Sequence, residues 1–347
     1  MAALVEKVAS KAGVSIATVS RVMNNHPNVS NDKVEMVRKA IKDLNINKAI
    51  TRGSKSLRSA NTVAFVVTNR NAATSYSYVL TETIHRVSEV LADRGYNTIL
   101  ADISEGKELP RIFTTSSVAG MILSGDIKSE KVLSQIKDIP QVWVTSHYSE
   151  GKDIALAGNE AVGRVAAQYV LSRGHKSALL VSPFRSEPYN SRCDFFEYTC
   201  MRNNIEVSRM NCNFKMPGKN EILDMNWFNS VAYDLAKKFL GLENRPTSVF
   251  IPSDMITGSF YRGLYENGVI PGKDFEVISC GNDLLILASL YPIPTTIDIG
   301  PKLMAERAVE QLLWRINNQE EERNFKAFIE PILIKSPDIK SEKFGQE

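Results

Sequence analysis

Short apolar runs alternate with amphipathic stretches along most of the chain. Apolar runs of four or five residues, the length of buried strands, lie at 63–67, 98–101, 119–123, 142–145, 178–181, 248–251 and 277–280. Between them, apolar positions recur at helical spacing in stretches such as 78–94, 161–173 and 258–267. Strands that alternate with helices form parallel sheets covered by helices, so this pattern predicts an α/β body from residue 63 onward.

The first 45 residues show helical periodicity alone. Apolar or small residues at 5, 8, 9 and 12 predict a helix, which Gly13 ends because glycine readily adopts the left-handed conformation. Ser15 can cap a second helix by accepting a hydrogen bond from the amide of Thr18. A third helix follows, with an apolar stripe at 34, 37, 41 and 44. A small Ala9, the turn glycine and an inward Val19 fit a helix-turn-helix.

Charge divides the chain at the same place. Residues 1–62 hold eleven Lys or Arg and four acidic residues, a net charge of +7. The remaining 285 residues hold 31 basic and 35 acidic residues, a net charge of −4. A basic head on a mildly acidic body favours contact with a polyanion, because neutralised phosphates release counterions.

Composition and motifs argue against several other classes of protein. The sequence contains neither a long apolar span nor a secretory signal, so we expect a cytoplasmic protein without a membrane segment. Its four cysteines and four histidines show no metal-ligand spacing, so no metal site is expected. Phosphate-loop, dinucleotide-binding, metalloprotease and serine-hydrolase motifs are missing, so we expect neither catalytic residues nor a cofactor.

The head resembles the DNA-binding head of the lac repressor (LacI/GalR) family, through residues 8–25, VASKAGVSIATVSRVMNN, and the following Asn28-Val29-Ser30. The resemblance implies that the second helix lies in the major groove, with Ile16 and Ala17 selecting the operator and Arg21 contacting a base or the backbone. At the start of the chain, Leu4 and Lys7 depart from the family's usual Thr and Asp. The residues expected to bind DNA in the head are Ser15, Ile16, Ala17, Thr18, Ser20, Arg21 and Asn24.

Residues 47–62 are predicted to form a hinge. In the family this segment becomes a short helix on DNA whose central leucine enters the minor groove, and Leu57 is the matching residue. The family's usual Pro-Asn is missing before it, so a plain flexible linker is the alternative.

The body resembles the periplasmic-binding-protein fold, which implies two Rossmann-like lobes with a ligand cleft between them and three chain crossings. Expected domains are an all-α helix-turn-helix head (1–46), the hinge (47–62) and an effector-binding and dimerisation domain (63–340). The first lobe is expected at about 63–160 and 294–325, and the second at about 161–293 and 326–340.

Since cleft residues follow the carboxyl ends of parallel strands, family landmarks give these effector-binding candidates: Tyr76, Arg192, Trp227, Ser253 and Asn282. Asp254 and Asp283 are interpreted as helix caps.

Together, these features predict a sequence-specific transcription regulator, and more specifically a repressor controlled by a small molecule. A sugar or a sugar derivative is the expected effector, and a purine or nucleoside is the alternative. Family members pair through their sensor domains, so the partners expected are a near-palindromic double-stranded DNA operator and a second copy of the chain. A non-catalytic solute-binding protein would share the body, but it would need a signal peptide and would lack the basic head.

Overall fold

The computed structural model describes residues 2–23, 29–44, 61–68, 77–104, 107–114, 118–145, 150–182, 187–211, 225–272 and 274–338. These residues form two compact units. The first holds the described residues up to Thr62 together with Arg111–Ala119, and the second holds the rest. Across the described ranges, no helix is long and apolar enough to span a membrane.

The head contains three helices: α1 (Ala2–Ala12), α2 (Ile16–Met23) and α3 (Asn31–Asp43). Gly13 has φ +62°, the left-handed turn that the sequence predicted between α1 and α2. The buried core of the head contains Val8, Ala9, Ala12, Val19, Val22, Val37 and Ala40. We expected Leu44 in the apolar stripe of α3, but it lies outside this core. The helix ends one residue earlier, at Asp43, and the Leu44 side chain is 36% exposed.

The body has two six-stranded sheets. The first contains β1 (Thr62–Thr68), β2 (Asn97–Ile103), β3 (Gly120–Ser124), β4 (Gln141–Thr145), β5 (Ile154–Ala157) and β11 (Lys326–Ile329), in the order β11-β5-β4-β3-β1-β2. The second contains β6 (Ser177–Ser182), β7 (Glu206–Asn211), β8 (Ser248–Phe250), β9 (Glu276–Cys280), β10 (Thr295–Asp298) and β12 (Ile332–Ile334), in the order β12-β10-β9-β8-β6-β7. β10 pairs with β12 in the antiparallel direction. The parallel pairs include β1–β3, β3–β4, β4–β5 and β5–β11 in the first sheet and β6–β7, β6–β8, β8–β9 and β9–β10 in the second.

Helices lie between these strands in the chain. They are α4 (Tyr78–Asp93), α5 (Arg111–Thr114), α6 (Glu130–Ile136), α7 (Asn159–Ser172), α8 (Tyr189–Arg202), α9 (Met225–Leu240), α10 (Asp254–Glu266), α11 (Leu284–Leu287) and α12 (Pro301–Asn317). The predicted strands and helices are present, although α10 begins four residues before the stretch expected from the sequence. Strands in the middle of each sheet are buried on both faces, which explains their uninterrupted apolar runs.

The last two passages of the chain between the lobes lie a few residues later than expected, and this corrects two of the expected lobe boundaries. We expected the first lobe to resume at 294, but β10 pairs with β9 in the second sheet, and it is α12 after it that packs on the first sheet as expected. We expected the second lobe to resume at 326, but β11 pairs with β5 in the first sheet, and it is β12 after it that returns to the second sheet as expected. The physical reason is that Thr295 and Thr296 are buried, and acceptors in the second lobe take their hydroxyl hydrogen bonds. The three crossings between sheets therefore follow β5, β10 and β11.

These three crossings touch one another at Ile329. Its carbonyl oxygen accepts a hydrogen bond from the Gly158 N–H at 2.8 Å, which joins the first crossing to the third. Gly300, in the second crossing, has φ +69°, and a Cβ there would lie 2.7 Å from the Ile329 Cγ2. Position 300 therefore favours glycine for two reasons: its backbone is left-handed, and a side chain there would collide with the neighbouring crossing.

A buried charged cluster lies at the opposite, amino end of the second sheet. The Glu276 carboxylate accepts hydrogen bonds from the Arg173 Nε at 2.8 Å and pairs with the His175 Nε2 at 3.2 Å. The other His175 ring nitrogen, Nδ1, lies 2.8 Å from the Thr247 hydroxyl. Burial alone would raise the pKa of Glu276, but the hydrogen bonds from His175 and Arg173 outweigh it, and the pKa is lowered. The cluster fixes α7, β8 and β9 at the end away from the crossings.

Replacing Gly300 with alanine tests the packing of the crossings. We expect Gly300→Ala to destabilise the body by about 1–2 kcal/mol through the left-handed backbone and by about 1–3 kcal/mol more through collision with Ile329. Gly151→Ala is the matched control, because Gly151 has φ +66° and nothing lies within 4 Å of the place that an alanine methyl group would occupy there. Urea unfolding of both variants measures the difference, and equal losses would show that the contact with Ile329 contributes nothing.

Candidate nucleic-acid interface and candidate ligand cleft

The start of α2 is held by the side chain of Ser15. The Thr18 N–H donates a hydrogen bond to the Ser15 Oγ at 3.1 Å, and the two hydroxyl oxygens lie 2.9 Å apart. This is the cap that the sequence predicted, and it satisfies an amide that has no partner within the helix. A well-formed first turn gives the exposed residues next to it a fixed direction.

The outer face of α2 is open to solvent. Ile16 is 51% exposed, and Ala17 and Arg21 are exposed as well, while Val19 and Val22 pack into the head core. An eight-residue helix with a buried stripe and this opposite face can enter a DNA groove without disturbing its packing. The Ser20 side chain, Asn24 and Leu57 lie outside the described residues, so their DNA contacts stay predictions.

Arg192 lies on α8 behind the carboxyl ends of the second sheet, and it is only 5% exposed. Its Nε donates to the Asn159 Oδ1 at 3.0 Å and its Nη1 to the Pro252 carbonyl oxygen at 3.1 Å. In the described part of the chain, no carboxylate forms an ion pair with it. A guanidinium has five N–H donors in a rigid fork, so two are used here and the others can serve a ligand.

Tyr189 and Ser253 lie beside this guanidinium. The Arg192 Cζ is 5.9 Å from the centroid of the Tyr189 ring, and the Tyr189 phenol shares a hydrogen bond with Ser253. Burial raises the pKa of Tyr189, while Arg192 and the Ser253 hydrogen bond oppose that rise. The structure thus brings the predicted residues Arg192 and Ser253 together through an aromatic side chain that the sequence analysis missed.

Asp254 organises the loops next to them. Its carboxylate accepts hydrogen bonds from the Thr296 hydroxyl at 3.2 Å, from the Asp283 N–H at 2.7 Å and from the Ser279 hydroxyl. Burial raises the pKa of Asp254 even though these three donors favour its ionised form. Asp283 caps α11 as expected by accepting from the amides of residues 285 and 286. Asp254 has a different role from the expected cap, because its carboxylate joins two strands and a turn.

Asn282 connects the cleft with the second crossing. Its φ is +57°, and its side-chain amide donates to the Asp298 Oδ2 at 3.3 Å. The other oxygen of Asp298 accepts from the Gly300 N–H at 2.8 Å. A predicted effector residue is therefore two hydrogen bonds from the point where the chain passes between lobes.

Of the two aromatic residues predicted to bind the effector, Trp227 is among the described residues and Tyr76 is not. Trp227 packs partly buried against the core of the second lobe, which supports a packing role, and its contact with an effector stays a prediction. Tyr76 lies outside the described residues. Tyr78, two positions along, has its pKa raised by burial and by the carboxylates of Glu82, Asp298, Asp283 and Asp254, in that order. The start of α4 in the first lobe therefore faces acidic groups of the second lobe.

Comparison with known proteins gives matches to both parts of the chain. Residues 5–47 match the model described as bacterial regulatory proteins, lacI family, and residues 167–335 match the periplasmic binding protein-like domain. The chain is 27% identical to the HTH-type transcriptional repressor PurR of Vibrio parahaemolyticus, covering 96% of this chain and 98% of that protein. It is also 27% identical to the ribose operon repressor of Escherichia coli, covering 90% of this chain and 93% of that one.

A solved structure shows the same architecture. The lac repressor dimer bound to operator and the anti-inducer ONPF is 18% identical, has a TM-score of 0.62 and covers 95% of this chain and 97% of that chain. A helix-turn-helix head with a two-sheet body of this topology defines a DNA-binding transcription regulator with a small-molecule sensor. The chain therefore carries the helix-turn-helix domain of lacI-family regulatory proteins joined to a periplasmic-binding-protein-like body.

Proposed function

We propose that this protein is a transcriptional repressor that binds a near-palindromic operator as a homodimer and responds to a small molecule held beside Arg192. The observation that carries the proposal is the exposed face of the capped helix α2, formed by Ile16, Ala17 and Arg21. Operator binding places its action in the cytoplasm. The body acts by binding a ligand, without a chemical reaction.

The exposed side chains suggest how the operator is read. Ile16 and Ala17 offer no side-chain hydrogen bond, so they suit the methyl groups of thymines or the local shape of the groove. Arg21 supplies the donors that read guanine or hold a phosphate. In this proposal, residues 47–62 order on DNA and Leu57 enters the minor groove.

The effector is a sugar or a sugar derivative in this proposal. Arg192 keeps donors beyond those bound to Asn159 and Pro252, and a guanidinium fork suits vicinal hydroxyls or a carboxylate. The ribose operon repressor among the relatives favours the same class of ligand. A purine or nucleoside is the second candidate, because the ring of Tyr189 beside Arg192 offers a flat face to a base.

Operator binding by the full chain is the direct test. Genomic fragments selected from a random-fragment pool on the immobilised protein should share a near-palindromic site, and D-ribose or inosine should change the affinity for it. The selection of fragments without a common site would contradict the proposed function.

Arg21→Ala tests the assignment of base readout. If Arg21 bonds a base, the variant should lose about 1–3 kcal/mol of binding free energy on the operator and less on random DNA. Fluorescence anisotropy on both DNAs at one salt concentration measures the two losses. Equal losses would assign Arg21 to phosphate contact, and Lys39→Ala, an exposed residue on α3, is the control for a general change in charge.

Leu285→Glu tests the proposed dimer. The short helix α11 exposes Leu284 by 61% and Leu285 by 86%, an apolar surface of the kind that protein interfaces cover. A buried charge at such an interface should shift the protein from dimer to monomer at micromolar concentration, as sedimentation velocity would report. Met201→Glu on α8 is the matched control, because Met201 is 66% exposed. A monomeric unaltered protein would rule out the dimer.

Arg192→Ala tests the position of the effector site. The variant should remove the dependence of operator affinity on effector, since the guanidinium supplies the donors proposed for the ligand. The control is Arg202→Ala, an exposed arginine at the end of the same helix, which should keep the full response. Coupling between two sites typically amounts to about 1–3 kcal/mol, which mobility-shift titrations resolve easily. A normal response of Arg192→Ala would place the effector elsewhere.

A further inference from the structure

Arg192 is joined to a crossing between the lobes through one side chain. Its Nε donates to the Asn159 Oδ1 at 3.0 Å, and Asn159 is the first residue of α7, two positions after β5 ends. Asn159 itself is only 7% exposed. Because both partners are buried, water cannot replace the bond, and loss of the acceptor would leave a charged donor unsatisfied.

The main chain next to Asn159 is fixed to the third crossing. The Gly158 N–H donates to the Ile329 carbonyl oxygen at 2.8 Å, and a Cβ at Gly158 would lie 3.0 Å from that oxygen. The two crossings therefore touch through their backbones. Asn159, the acceptor that holds Arg192, directly follows Gly158 in the chain.

We propose that Asn159 is a positioning residue that holds the Arg192 guanidinium and links it mechanically to the contact between Gly158 and Ile329. This inference rests on the proposed function in taking Arg192 as the effector-binding cation. A ligand that pulls the guanidinium moves the Asn159 Oδ1 and, with it, the first turn of α7. The displacement then reaches the crossings, where the angle between the lobes is set.

The link makes a prediction about the protein without DNA or effector. Amide hydrogen exchange of a peptide containing Gly158 should be about tenfold or more faster in Asn159→Ala, because local opening becomes easier. Arg192→Ala should accelerate the same amide, although Arg192 makes no direct contact with it. Asn203→Ala is the matched control, because the side chain of the exposed Asn203 likewise forms a hydrogen bond at the end of α8, here by donating its amide N–H to the Thr199 carbonyl oxygen.

Rescue and a double variant separate this link from a general packing effect. Asn159→Asp keeps an acceptor for Nε and should exchange within about twofold of the unaltered chain, since its carboxylate pairs with the guanidinium. In the double variant Asn159→Ala with Arg192→Ala, the Gly158 amide should exchange no faster than in the faster single variant. The reason is that each substitution breaks the same hydrogen bond, the one between Arg192 and Asn159. A peptide from β1 should be unchanged in every variant, which shows that each one is folded.

Two results would overturn the proposal. One is an unchanged Gly158 amide in Arg192→Ala, and the other is a double variant whose acceleration is the product of the two single effects. If Arg192→Ala does not fold, Arg192→Lys replaces it, because lysine keeps the charge but cannot donate from an Nε position. A failure of the unaltered chain to bind operator would refute the proposed function and would leave the exchange result standing.

Discussion

The cleft side of the second lobe depends on the buried carboxylate of Asp254. It lies at the first turn of α10 and accepts hydrogen bonds from β9, from β10 and from the turn that precedes α11. One carboxylate therefore holds together α10, β9, the turn that follows β9, and β10. Ser253 and Asn282 directly precede Asp254 and Asp283 in the chain, so this network also positions these two candidate residues. Replacing one such donor affects the geometry of the whole cleft, since buried polar groups are costly to leave unsatisfied.

Local patterns were sufficient to predict the head and the middle of each sheet. The Ser15 cap follows from a three-residue spacing, and strands such as β1 and β9 follow from apolar runs that need cover on both faces. Strands were missed at the sheet edges where the sequence mixes polar and apolar residues, as in β7 and β11. β7, with the sequence EVSRMN, has one buried residue among six. A strand of this kind is stabilised by its neighbour, and the sequence of the strand alone does not reveal the neighbour.

The candidate cleft was predictable only in part, for a related reason. Arg192 was found through family resemblance, and the position after a parallel strand pointed to Ser253. Tyr189 and Asn159 act through contacts with Arg192, and such contacts join residues 33 positions apart in the second case. The error in the last two lobe boundaries has the same origin. In the sequence, Thr295 and Thr296 look like ordinary strand residues. Only the structure shows that their hydroxyls donate hydrogen bonds to Tyr169 and Asp254 of the second lobe.

The environment of Arg192 also affects how long the folded protein persists. Its guanidinium is buried against a side-chain amide and a backbone carbonyl, and within the described residues it has no ion-pair partner. Desolvating a cation without a full set of acceptors costs folding free energy. A bound ligand that completes the set returns that free energy, and it does so in proportion to the logarithm of its concentration above the dissociation constant. In the proposed function, the supply of effector would therefore set the resistance of the sensor to unfolding and proteolysis, and so its abundance in the cell, alongside its occupancy of DNA.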